Sequence, residues 1–257
     1  MRAPPALLPL AILLALPPPL GAQGSPEEAL VTDRPDFTES AVTVGGGRVQ
    51  AEAGATLTDL SRGDEELTLG ELLVRAGLGD AVELRLGIGS VARLESAGLA
   101  ERGLVDPSLG VKLRLPAQLA AAIPGNPDLA ALVAASLPVG EEPFREPHAQ
   151  PEVKVAAGWQ LRPRLSLGAN VGWGYRSEEG RQFGEGLASL ALGVELAERL
   201  GAYGEVYGLW PAGGEGGEFA DAGVTWLVTP DLQLDARLGW ELGGGESFVG
   251  AGLARRW

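Results

Sequence analysis

Apolar residues recur at every second position from Arg48 to Trp257, the period of a strand whose two faces meet different surroundings. Leu232, Leu234, Ala236, Leu238, Trp240 and Leu242 share one parity, with Gln233, Asp235, Arg237, Gly239 and Glu241 between them. The stretch 165–175 repeats the rule with Leu165, Leu167, Ala169, Val171, Trp173 and Tyr175. Alanine, leucine and glutamate are good helix formers, but a period of two would scatter apolar groups all round a helix. The pattern therefore predicts strands, in about twelve segments: 48–59, 67–78, 81–91, 107–115, 129–139, 151–161, 164–175, 186–196, 200–210, 219–228, 231–242 and 247–257. Leu67 and Leu69 fall out of phase with Leu72, Val74 and Ala76, which predicts a bulge near Gly70.

The connections alternate in length. Short turns are expected at 79–80, 162–164, 197–199 and 229–231, and longer acidic, glycine-rich loops at 61–66, 92–106, 140–150, 176–185, 211–218 and 243–246. An even strand count with short turns at one end and long loops at the other predicts an all-β fold, a transmembrane antiparallel up-and-down β-barrel. The link 116–128 is long where a short turn is due, and is expected to form a small helix or cap.

No segment beyond the N-terminus qualifies as a membrane-spanning helix. The nearest, 117–139, is broken by Pro124-Gly125-Asn126-Pro127-Asp128. Arg2, the short apolar run Ala6–Leu16 and the small residues Gly21-Ala22 read as a cleaved signal peptide over 1–22. A periplasmic N-terminal segment is then expected over 23–47, either a plug of the barrel base or a flexible leader, with the outer-membrane barrel over 48–257. The expected location is the outer membrane of a Gram-negative-type bacterium.

The chemistry-bearing residues are sparse. There is no cysteine, hence no disulfide framework or thiolate ligand, and a single histidine, His148, in a proline-flanked loop. A serine–histidine lipase of the outer membrane would need its pair on neighbouring strands, and His148 has no evident partner serine. No catalytic, cofactor-binding or metal-binding residue is expected. The excess of 34 acidic over 20 basic residues argues against nucleic acid, which needs a basic face.

All six tryptophans, Trp159, Trp173, Trp210, Trp226, Trp240 and Trp257, share the apolar parity and fall near strand ends. That placement is expected of aromatic girdles at the two membrane interfaces. The last strand, ending Leu253-Ala254-Arg255-Arg256-Trp257, resembles the signal read by the barrel-assembly machinery, although Arg255 stands where an apolar residue is usual.

The stretch Thr32-Asp33-Arg34-Pro35-Asp36-Phe37-Thr38-Glu39-Ser40, followed by Gly47-Arg48-Val49-Gln50-Ala51-Glu52, resembles the opening of a family of outer-membrane proteins. That family is named for a MetA pathway of phenol degradation and its members are called transporters. Glu71-Leu72-Leu73-Val74-Arg75, Ser108-Leu109-Gly110-Val111-Lys112 and Thr229-Pro230-Asp231-Leu232 extend the likeness over nearly the whole mature chain. The resemblance implies a barrel transporter but brings no binding residues with it.

If the apolar parity faces lipid, the opposite parity lines the lumen. Arg48, Glu52, Glu71, Arg75, Glu83, Arg85, Lys112, Arg114, Glu152, Lys154, Glu205, Asp235 and Arg237 lie on it, either as a wet pore or as a salt-bridged plug. The leading expectation is a channel for passive uptake of small solutes, hydrophobic or aromatic ones among them. The alternatives are a non-conducting structural or adhesive barrel and a soluble periplasmic ligand-binding β-protein. The expected partners are outer-membrane lipid and lipopolysaccharide, the barrel-assembly machinery and a small solute.

Overall fold

The structure, a computed structural model, describes residues 29–60, 63–178 and 180–257. The expected signal peptide lies outside the described residues. The strands are β1 (Val49–Leu60), β2 (Asp64–Gly77), β3 (Val82–Ile88), β4 (Val91–Ser96), β5 (Leu99–Leu104), β6 (Ser108–Arg114), β7 (Asp128–Ser136), β8 (Gln150–Arg162), β9 (Leu165–Glu178), β10 (Arg181–Ala197), β11 (Leu200–Pro211), β12 (Gly217–Thr229), β13 (Leu232–Glu241) and β14 (Ser247–Arg256).

Each strand pairs antiparallel with its neighbours, and β1 pairs with both β14 and β2, which closes the sheet. Two barrel positions are each filled by a broken pair. β2 pairs with β3 along 72–77 and with β4 along 65–69, so β3 and β4 act as one interrupted strand. In the same way β5 pairs with β4, and β6 with β3 and β7. Fourteen segments thus make a closed antiparallel barrel of twelve strands. Closure leaves no unpaired edge, the condition for a sheet to cross a bilayer.

The burial pattern inverts that of a water-soluble core. Leu190, Val171, Leu238 and Val249 are exposed on the outside, whereas the largest fully buried side chains are Arg75, Lys112, Gln50, Glu52 and Glu83. Lysine, arginine and glutamate are almost never fully buried unless paired. The alternation is therefore apolar outward and polar inward. The expected bulge is present: Glu52 pairs with Leu73 but Gly54 with Gly70, and Gly70 and Glu71 take φ of 103° and 39°.

Two expectations change in detail. The segment 92–106, expected as a loop, holds the hairpin β4–β5, turning at Ala97-Gly98. The segment 176–185 is likewise mostly strand, because β9 and β10 run on to Glu178 and from Arg181. The link after β6 forms one helical turn, α1 (Ala117–Ala120), and Trp159 Nε1 donates to the Pro124 carbonyl at 2.9 Å.

Candidate functional site

The segment preceding β1 lies inside the barrel. It enters at the short-turn end, where the Leu30 amide donates to the Pro230 carbonyl (2.8 Å). It climbs to residues 37–39 and returns to Val44, whose amide donates to Glu83 Oε2 (2.8 Å). The apex is the stretch Asp33 to Ser40.

Asp33 is the hub of one wall. Lys112 Nζ reaches its two carboxylate oxygens at 2.9 and 2.7 Å, and Arg85 Nη1 reaches Oδ2 at 2.6 Å. Arg75 Nη1 stands 3.4 Å from the same oxygen. Burial pushes the Asp33 carboxyl up, but the charges of Arg75, Lys112 and Arg85 outweigh it and hold the group well below the usual carboxylate range. Its own hairpin closes on it too, since the Ser40 amide and hydroxyl donate to Oδ1 at 2.9 and 2.8 Å. Glu39 extends the network, accepting from Arg85 at 2.6 Å and from Lys154 at 3.0 Å.

The opposite wall grips the apex through hydrogen bonds and ring stacking. The amides of Phe37 and Thr38 donate to Glu205 at 2.7 Å each, and the Thr38 hydroxyl also contacts Glu205. The Thr38 and Ser189 hydroxyls are 2.6 Å apart, and the Glu39 amide donates to Asn170 Oδ1 at 2.8 Å. The Phe37 ring stacks on Tyr207 at 4.3 Å, and Tyr207 stacks on Phe219 at 4.9 Å. Arg34 turns toward β1, β2 and β13, donating to Glu71 at 2.5 Å and lying 3.6 Å from Asp235. Gly54 and Gly252 face each other across β1 and β14, and a Cβ on either would strike the Arg34 guanidinium. Glycine at both positions makes the room that Arg34 occupies.

Of the residues expected on the lumen parity, Glu52, Glu71, Arg75, Glu83, Arg85, Lys112, Lys154 and Asp235 surround the inserted segment. Arg237 donates to the Pro35 carbonyl at 2.8 Å. Glu152 sits one step further out, paired with Lys154 at 3.3 Å and with Arg176. Arg48 and Arg114 are apart from this group. They line a mouth cavity of about 540 Å³ at the short-turn end, and Arg114 is exposed beside Asp128 at 3.3 Å. On the other side of the network a cavity of about 240 Å³ is bounded by Glu39, Arg85, Glu152 and Arg176.

Sequence reasoning passed over Asn170, Ser189 and Tyr207. The signal was present in their parity, since each falls at an inward position of its strand. The tryptophans are on the outward parity. Trp173 and Trp210 flank Gly186 from β9 and β11. Trp226 pairs with Leu200 and Leu234, and Trp240 with Ala220. Trp159 packs against Gly125, and Trp257 covers the outward cluster of Ala51, Ala53 and Leu253.

The sequence profile of the family described as "Putative MetA-pathway of phenol degradation" matches residues 32–257. The chain belongs to that family. The matched region starts at the apex segment itself, so inserted hairpin and barrel fall within one family unit. No curated protein matches the chain. Among solved structures, it is similar to an outer membrane channel from Pseudomonas putida F1, at 13% identity and a TM-score of 0.66, covering 84% of this chain and 98% of that one. The NanC porin aligns at 7% identity and a TM-score of 0.56, over 80% of this chain and 98% of its own. The translocator domain of the autotransporter NalP from Neisseria meningitidis aligns at 12% identity and a TM-score of 0.54, over 84% and 90%. At these identities the likeness is one of fold, that of outer-membrane β-barrels.

Proposed function

We propose that this chain is an outer-membrane channel for passive uptake of small solutes, closed at rest by its own segment 29–47. The short turns then face the periplasm, the long loops face outside, and the tryptophans mark the two interfaces. The observation that carries the reading is the asymmetry of the grip on the segment. On β2, β3 and β6, Arg75, Arg85 and Lys112 saturate Asp33. On β9 to β12 the hold is a few hydrogen bonds and a ring stack. A hairpin tied firmly on one side and loosely on the other can swing without leaving the barrel. The aromatic stack on the looser side supports a solute that carries a ring.

The test uses the absence of native cysteine. The Thr38 and Ser189 oxygens are 2.6 Å apart, close enough for the sulfurs of Thr38→Cys and Ser189→Cys to bond at about 2.0 Å. In liposome swelling with small neutral solutes, the reduced double variant should swell like the wild type and the oxidised one should not. Equal swelling in both states would mean that the segment does not control passage. No swelling by the wild type would favour the non-conducting barrel.

A further inference from the structure

On the long-loop side of the hairpin, one row of inward residues carries no charge. Ser108 opens β6, Ser136 ends β7 and Gln150 opens β8, and the three stand directly opposite one another across these strands. All three line the cavity of about 240 Å³ that Glu39 bounds from the hairpin. Their side chains have no hydrogen-bond partner among the described residues. Gly87, opposite Ser108 on β3, leaves room for the first hydroxyl, since a Cβ there would lie 2.2 Å from Ser108 Oγ. The charged groups around the same cavity are all taken. Arg85 donates to Glu39 at 2.6 Å and Lys154 to the same carboxylate at 3.0 Å, while Arg176 donates to Glu152 and, at 2.8 Å, to Glu185. The rest of the wall is aliphatic, with Leu73, Leu132 and Ala134, and no aromatic ring among the described residues lines it.

A concave, largely apolar wall with a few convergent polar groups is the build of a small-molecule site. Here the groups left free to bind are two hydroxyls and an amide, each able both to donate and to accept. An ionic solute would shed its water and find every counter-charge already paired. An uncharged solute meets no such cost. Side chains directly opposed on neighbouring strands stand about 5 Å apart, so the row repeats its polar groups at that interval. Two equatorial hydroxyls in 1,3 relation on a six-membered ring match the interval, whereas 1,2-related hydroxyls fall short of it. We propose that Ser108, Ser136 and Gln150 form a subsite, on the long-loop side of the hairpin, for a small uncharged ring compound that carries 1,3-related hydroxyls. Its hydroxyls meet the row, and its carbon face lies against Leu73, Leu132 and Ala134. The inference rests on the channel reading for the route by which a solute arrives, but the site itself is testable without it.

The experiment measures binding to the full chain in detergent by calorimetry, with four probes built on one ring. They are cis-1,3-cyclohexanediol, trans-1,2-cyclohexanediol, cyclohexanecarboxylate and cyclohexylammonium. The 1,3-diol should bind, the 1,2-diol several-fold more weakly and the two ions not at all. Ser136→Ala should weaken the 1,3-diol about five-fold, the loss of one neutral hydrogen bond, and Ser108→Ala with Ser136→Ala at least ten-fold. Neither change should move the thermal midpoint, because these hydroxyls bond nothing in the protein. Ala134→Leu, which fills the cavity and leaves every hydroxyl in place, should abolish binding. No binding of the 1,3-diol by the wild type, equal binding of either ion or of the 1,2-diol, or unchanged binding by the double variant would overturn the subsite. If the double variant loses both binding and midpoint, Ala134→Leu decides, and unchanged binding there overturns the site as well. A chain that binds the 1,3-diol but gives no liposome swelling keeps the subsite and loses the channel. One that swells but does not bind loses the subsite alone.

Discussion

Arg75 uses all five of its donors. Nε and Nη2 donate to Glu83 at 2.9 and 3.0 Å, Nη1 to Glu52 and to the Val31 carbonyl at 2.8 and 3.0 Å, and Nη2 also to the Val42 carbonyl at 3.0 Å. An ammonium has three donors and no planar fork, so lysine cannot replace this set. Arg75→Ala should cost about 3–5 kcal/mol, because it leaves Glu52 and Glu83 buried and short of a partner. Arg75→Lys should recover less than half of that loss in chemical unfolding, and a variant of wild-type stability would show that the network is not structural. Asp33 sets a pH dependence. Its folded carboxyl titrates well below the usual range, so its stabilisation is fully present above the ordinary carboxylate pKa and is lost as pH falls below it. Asp33→Asn should therefore be less stable at pH 7 and show a flatter acid limb, measured as midpoint against pH. The inward charges were legible from parity alone, but the partners that the hairpin brings to them were not. The strand pattern puts Arg75, Arg85, Lys112 and Arg114 on one parity with Glu71, Glu83 and Glu52, whereas Asp33 and Glu39 arrive from a segment with no periodicity at all. Parity also names a face and not a depth, which is why Arg114 proved to be at the rim.

At the scale of elements, periodicity located strands wherever one face meets apolar surroundings. It faded where both faces meet water. In β4 and β5, Arg93, Glu95, Glu101 and Arg102 fall on both parities, and the hairpin read as a loop. The bulge in β2 was visible because a phase slip in an apolar run has few other causes. Position 238 tests the phase directly. Leu238 points outward and is exposed, and an arginine at mid-bilayer in a barrel costs about 2–4 kcal/mol. Leu238→Arg should lose heat-modifiable migration on gels, while Leu238→Met should fold normally. Arginine tolerated there would mean that the band is not in lipid. Gly239, one residue along, is a poor control, because any Cβ there meets Phe248 and Asp221.

For the whole molecule, the connections decide which way the barrel faces. At one end the described strands are joined tightly, as at 163–164, 198–199 and 230–231; at the other the links 137–149 and 242–246 are longer. The longest is held in place by Asp106, whose carboxylate accepts from the amides of Gly140 and Glu146 at 2.7 and 3.0 Å. The inserted hairpin enters at the short-turn end, where β1 begins and β14 stops. Short turns on the periplasmic side are the rule for single-chain barrels, and long loops outside follow from it. His148→Cys and Glu215→Cys, both in exposed long-loop positions, should react with a membrane-impermeant maleimide on intact cells. Pro163→Cys and Glu198→Cys, exposed at the opposite end, should react only after the envelope is opened. Labelling of the second pair alone would invert the barrel and put the mouth of the hairpin outside the cell. Labelling of both pairs alike would remove the membrane from between the two ends, and with it the reason for an apolar exterior.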